Sequence, residues 1–167
     1  MSAEPSTATI YHLEMLERGA HCVKEPPAGF AVEQALPPDA GLNAQFYRRV
    51  GAAWKWTDRL PWSPAAWRRY VERDELTTWI GRLDRQSVGY FELEAQPAGA
   101  VQIAYFGLLP EFIGRGIGGP LLSAAIEEAW NLAGTRRVWV HTCTHDHPHA
   151  LGNYRRRGFK VFKTDPA

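Results

Sequence analysis

The chain opens on short alternations of apolar and polar positions, Ile10, His12 and Leu13 within residues 10–25, then Phe30 and Val32 within 30–36. Pro26-Pro27 separates the two and Pro37-Pro38-Asp39 closes the second, a pattern that predicts strands joined by turns. From Leu42 to Ala53 the apolar positions 42, 46, 50 and 53 recur at helical spacing. Ser63 then precedes Pro64 at what would be a first helical position, and Trp67, Tyr70 and Val71 supply a buried face. The character changes at Thr77. Thr77 to Arg82, Ser87 to Glu94 and Ala100 to Leu109 are rich in aromatic and β-branched residues, and the last two flank Gln96-Pro97-Ala98-Gly99, which predicts an antiparallel hairpin. The glycine-dense run 114–119 opens a helix whose apolar face is Leu122, Ala125, Ile126, Ala129 and Ala133, with Gly134 as its C-terminal cap. Arg137 to Cys143 reads as a buried strand, Pro148 to Arg157 as a helix ended by Gly158, and Phe159 to Lys163 as a last strand. No repeat or long linker interrupts this order, so residues 1–167 read as one domain.

Composition narrows the classes that fit. At 167 residues the chain has the size of a single domain, and 45% hydrophobic with 22% charged residues is the balance of a globular protein rather than a disordered one. Nineteen basic against 18 acidic residues give a net charge of +1, which argues against nucleic acid as the main partner because that binding draws on a basic surplus. No apolar run approaches the roughly 20 residues that span a bilayer. The first nine residues lack the basic and apolar regions of a secretion signal, and Cys22 and Cys143 form no disulfide framework. A cytoplasmic setting without membrane association is the expectation. Tryptophan departs from the average: there are seven, and Trp54, Trp56, Trp62 and Trp67 lie in one short stretch. That cluster is either an aromatic core element or the wall of a pocket.

The candidate chemistry lies in the glycine run. A strand that passes through glycines into a helix N-terminus presents backbone N–H groups and about half a positive charge to an anion, most often phosphate. Gly114, Gly116 and Gly119 satisfy the G-x-G-x-x-G spacing of dinucleotide folds. The preceding strand, however, lies in a hairpin rather than at the start of a βαβ unit, and too little sequence follows for a dinucleotide domain. A phosphate-binding P-loop is excluded because no Gly-Lys-Ser/Thr follows.

Leu108 to Leu122, with Leu108-Leu109-Pro110-Glu111-Phe112-Ile113-Gly114-Arg115-Gly116-Ile117-Gly118-Gly119 at its heart, resembles motif A of the GNAT acyl-CoA N-acetyltransferases. Ala150-Leu151-Gly152-Asn153-Tyr154-Arg155-Arg156-Arg157-Gly158-Phe159 resembles their motif B. With the hairpin before and the strand between, the resemblance runs from Ser87 to Phe162, motif A occupying about 100–134 and motif B about 146–162. It implies a mixed α/β fold, its central, largely antiparallel sheet of about six or seven strands flanked by about four helices. It also implies acetyl-CoA as co-substrate, with the pyrophosphate on the amides of Gly114, Arg115, Gly116, Ile117, Gly118 and Gly119 and the pantetheine arm along the backbone of Leu108 and Leu109. His147 stands where the family usually has a pantetheine-contacting Asn, and Asn153 belongs to the same motif. Where the family often begins the turn with Gln or Arg, this chain has Ile113.

The resemblance further assigns Tyr154 as the general acid. For the base it leaves two candidates. Gln102 stands where the histone-acetylating branch has its glutamate, and an amide cannot accept the proton. His141 stands where the ribosomal-protein branch has its glutamate, and an imidazole with an unperturbed pKa near 6.5 suits the role. Glu92 is the second candidate, because the hairpin would bring it near Gln102. His141, His145, His147 and His149 fall within nine residues but straddle strand, loop and helix start without a zinc motif, so no metal is expected. The implied activity is acetyl transfer to the amine of a small molecule or a peptide N-terminus, in a chain that could form a homodimer. A non-catalytic acyl-CoA sensor with the same fold remains the alternative.

Overall fold

A computed structural model describes residues 7–167. They share one seven-stranded sheet in the order β2-β3-β4-β5-β6-β1-β7. The strands are β1 (Thr9–Met15), β2 (Phe30–Gln34), β3 (Leu76–Leu83), β4 (Gln86–Ala95), β5 (Ala100–Leu108), β6 (Arg137–Cys143) and β7 (Lys160–Pro166). The helices are α1 (Ala40–Gly51), α2 (Pro64–Val71), α3 (Gly118–Asn131) and α4 (Ala150–Arg156). This is the expected mixed sheet with four helices. All neighbouring strands run antiparallel except β5 and β6.

Local signals account for most of these elements. The Asp39 carboxylate accepts from the Leu42 N–H at 3.2 Å and starts α1, and the Ser63 hydroxyl accepts from the Ala66 N–H at 3.1 Å, with Pro64 entering α2 behind it. The β4–β5 hairpin turns through Ala98 and Gly99, both at positive φ. One end signal was misplaced: α3 stops at Asn131, Ala133 is exposed, and Gly134 lies beyond the helix at φ +77° in the turn toward β6. Leu132, the actual cap, is already extended, so the chain leaves the helix two residues before the glycine.

One core lies between the sheet and α3 with α4, built on Leu13, Leu93, Leu121, Leu122, Ile126, Val138 and Val140, each at most 1% exposed. On the α1 side, Phe46 and Val50 pack on Ile80, Val88 and Tyr90, while Tyr47, Trp67 and Val71 join α1 to α2. The placement of β1 was not anticipated. The first strand runs between β6 and β7 and pairs antiparallel with both, putting His12 opposite His141.

β5 and β6 pair only from Ala100 with Arg137 to Gln102 with Trp139. Beyond that point β6 continues beside β1 and β5 beside β4, so the two parallel strands part. Their divergence opens the cleft described next.

Candidate active site

The cleft holds about 710 Å³. Ile103 to Leu108 of β5 form one wall and Val140, His141 and Cys143 of β6 the other. Gly114, Gly116, Gly118 and Gly119 close one side, with Asn153 and Tyr154 of α4 beside them. Gly114 and Gly116 have φ of +83° and +76°, and a Cβ on either would meet no atom within 4 Å, so the turn needs glycine for its backbone and leaves its surface open. The Asn153 amide donates to the Gly118 carbonyl at 3.1 Å, fastening α4 to the turn.

Not every residue singled out in the sequence reaches this space. Leu108 lines the cleft, but Leu109 is 2% exposed in the core and its N–H is taken by the Val88 carbonyl at 2.8 Å. Ile117 is buried at 1%, and the Arg115 guanidinium stacks over Phe112 at 5.2 Å, outside the cleft lining. Tyr154 is buried except where it meets the cleft, packed between Phe106 and Phe159. Its burial, with Asp146 nearby, raises the phenol pKa far above the ordinary value, so the hydroxyl keeps its proton at neutral pH. His141, an exposed residue of β6, also lines the cleft. Partial desolvation of a ring that still reaches solvent, and then His12, lower its pKa from 6.5, against the raising influence of Asp146 and Asp58.

Glu92 requires a correction. It opposes Tyr105, not Gln102: the turn sets Glu94 opposite Gln102, and a bulge between Glu92 and Leu93 then moves Glu92 on to Tyr105. Glu92 is fully buried, its carboxylate accepting from the Arg59 guanidinium at 3.1 Å and the Asn43 amide at 2.9 Å, and it does not line the cleft. Arg59 lies 4.0 Å from the Tyr70 ring centre, 4.1 Å from Tyr105 and 4.8 Å from Trp62. A cation held by its counter-ion and surrounded by aromatic faces is a lock on the fold.

The tryptophan cluster divides. Trp62 and Trp67 pack around Arg59, whereas Trp54 and Trp56 line the cleft. The Trp56 indole N–H donates to Asp146 at 3.3 Å, and Trp54 meets the His147 ring edge-on at 5.0 Å. Asp146 also accepts from the Thr142 hydroxyl at 2.6 Å and the Cys143 N–H at 2.9 Å. The segment after α1 is thus joined across the cleft to the loop after β6. His147 lines this side and accepts the His149 N–H on Nδ1 at 3.1 Å. Among the described residues no group of three or more His, Cys, Asp or Glu side chains is arranged to hold a metal, and no helix is long and apolar enough to cross a membrane.

Sequence reasoning gave no role to Lys24, Asp58, Tyr105, Asp146, Arg156 or Arg157, all of which line the cleft. The two arginines stood in the quoted motif. Lys24 and Asp58 arrive from segments far away in sequence and carried no local signal.

A mixed sheet whose parallel strands part beside a glycine turn defines an α/β domain with a glycine-lined cleft. The chain belongs to the acetyltransferase (GNAT) family, whose model matches residues 42–159. No curated protein matches it in sequence. Among solved structures it is similar to a GCN5-related N-acetyltransferase from Kribbella flavida, with 24% identity over 95% of this chain and 58% of that one and a TM-score of 0.67. A GCN5-related N-acetyltransferase from Sphaerobacter thermophilus gives 21% identity, 95% and 50% coverage and a TM-score of 0.69. An aminoglycoside acetyltransferase from an uncultured soil metagenomic sample gives 18%, 78%, 88% and 0.62. These likenesses establish the fold. The chain spans 50–60% of the length of the first four structures it matches.

Proposed function

We propose that the protein is an N-acetyltransferase that transfers the acetyl group of acetyl-CoA by direct attack of a primary amine, carried by a small molecule or a peptide N-terminus, in the cytoplasm. The observation that carries this reading is the cleft itself, lined by the glycine turn, Tyr154 and His141.

The cradle at Gly114 and Gly116, open where a Cβ would stand, fits a pyrophosphate, and the β5 edge from Ile103 to Leu108, released from β6, fits an extended pantetheine arm. When bound, acetyl-CoA supplies the acetyl group as a thioester activated toward amines. The rest falls to side chains of this chain. His141, whose lowered pKa further favours the neutral ring at pH 7, takes the proton that the acceptor nitrogen loses as the C–N bond forms. Tyr154 holds its proton until the C–S bond breaks and gives it to the departing sulfur. Trp54, Trp56, Tyr105 and Asp58 form the side assigned to the acceptor, where indole faces and a carboxylate suit an ammonium group.

Thiol release from acetyl-CoA across a panel of amines, amino acids and peptide N-termini tests the reading. Turnover with at least one amine is expected, and Tyr154→Phe should lower kcat by about 10²–10⁴-fold with acetyl-CoA affinity kept. Tight acetyl-CoA binding with no thiol release from any amine would instead establish the non-catalytic sensor.

A further inference from the structure

We propose that Lys24, Arg156 and Arg157 form a second anion seat beside the glycine turn, and that it takes the ribose 3′-phosphate of coenzyme A. The inference rests on the acetyl-CoA reading above and adds to it a recognition site built by the connector between β1 and β2 together with the end of α4.

That connector is held on both sides. The Cys22 N–H donates to the Arg157 carbonyl at 2.9 Å, just past α4, and the Lys24 N–H donates to the Ser123 hydroxyl at 2.8 Å, in α3. Lys24 therefore crosses the first turn of α3 in a fixed register. A Cβ on Gly119 would lie 2.8 Å from Arg157 Nη1 and 3.0 Å from Lys24 Cγ, so the glycine lets the arginine fork and the lysine stem converge on the helix start. All three cations line the cleft.

Among the described residues none of the three pairs with a carboxylate. The Arg157 Nε is buried without a hydrogen-bond partner. Burial and the adjacent Arg156 both work against the charge on Arg157. Like charges gathered around an unsatisfied donor are stabilised by a polyanion entering among them.

Coenzyme A supplies more phosphate than the turn can seat. Its pyrophosphate matches the amides of residues 114–119, which leaves the phosphomonoester on the ribose, with its three terminal oxygens, for side-chain donors. A lysine and two guanidinium forks offer that group charge and several N–H bonds at once.

Isothermal titration with coenzyme A and with 3′-dephospho-coenzyme A, at matched ionic strength and without acceptor, tests the seat. The wild-type protein should bind coenzyme A at least tenfold more tightly. Lys24→Ala and Arg157→Ala should each narrow that ratio, and the double variant should bind both ligands equally, near the wild-type affinity for the dephospho form. Equal wild-type binding of the two ligands would overturn the seat and leave the acetyl-CoA reading standing. Equal weakening of both by the variants would also overturn it and assign the cations to the pyrophosphate. Failure of the wild-type protein to bind either would remove the acetyl-CoA reading and the seat together. The wild-type comparison needs no substitution, so it decides even if a variant folds poorly.

Discussion

His141 receives opposing influences from three directions. His12 reaches it from β1 with ring centres 5.9 Å apart, Asp146 acts from the loop after β6, and Asp58 acts from the segment between α1 and α2, while Trp139 flanks it on its own strand. Its partly enclosed position lowers the pKa first and His12 adds to that, whereas the two carboxylates pull it back. His12 is itself held by Asp165, whose carboxylate accepts from Nε2 at 3.0 Å and also pairs with Lys163. The sign follows: a base with a lowered pKa is proton-free above that value, so kcat/KM should rise from the acid side and level off with a midpoint below 6.5. His12→Gln removes one depressing neighbour and should move the midpoint upward, and Asp58→Asn should move it downward. Ring-proton shifts of His141 followed by NMR give the same midpoints without turnover. If the His141 titration stays in place in both variants, the ring's surroundings rather than these charges set its pKa.

At the scale of elements, the segment between α1 and α2 carries Trp54, Trp56 and Asp58 to the cleft and anchors itself through Arg59. The anchor is buried: the Arg59 and Glu92 side chains are 8% and 0% exposed. Burial opposes the charge on Arg59, and Glu92 together with Tyr70 and Tyr105 outweighs it, so the guanidinium pKa stands above its usual value. Arg59→Ala leaves a carboxylate buried without its counter-ion and should cost about 3–5 kcal/mol in urea unfolding, whereas Arg59→Met with Glu92→Leu should recover most of that loss. Glu92→Gln should raise the acceptor KM by loosening the tryptophan wall while leaving the His141 titration unchanged. A fall in kcat at constant acceptor KM would return Glu92 to the role of base. Local signals made much of this architecture legible: the caps at Asp39 and Ser63, the hairpin around Pro97 to Gly99, and the glycine turn are each written within a few residues. The partner of Glu92 was not, because the bulge beside it, which moves it to Tyr105, lies away from the turn and has no turn residue to mark it. The division of the tryptophans was equally hidden. Trp62 and Trp67 face Arg59, and Trp54 and Trp56 face the cleft, because of the path of an irregular segment with no period to read.

At the scale of the molecule, the strand order joins the two ends of the chain. β7 pairs with β1 alone, and His12 and Asp165 meet across 153 residues of sequence. Neither strand can complete its hydrogen bonds until almost the whole chain is present and the rest of the sheet has offered β6 as a template. Closing a contact that distant costs chain entropy before any pairing offsets it, so the β6-β1-β7 end should assemble last. Alternation alone could announce β1 as a strand, but its neighbours are set by this late closure, which is why its place between β6 and β7 was illegible. Leu13 is the probe, fully buried at the middle of β1. Leu13→Ala should destabilise the fold by about 2–5 kcal/mol. That loss should appear mainly as faster unfolding with the folding rate nearly unchanged, the signature of an interaction absent from the transition state. Amide exchange should quicken in β7 as well as β1, since β7 has no other strand to hold it, while the β3-β4-β5 hairpins keep their protection. A folding rate that falls in proportion to the lost stability would place the first strand in the nucleus and reverse the proposed order of assembly.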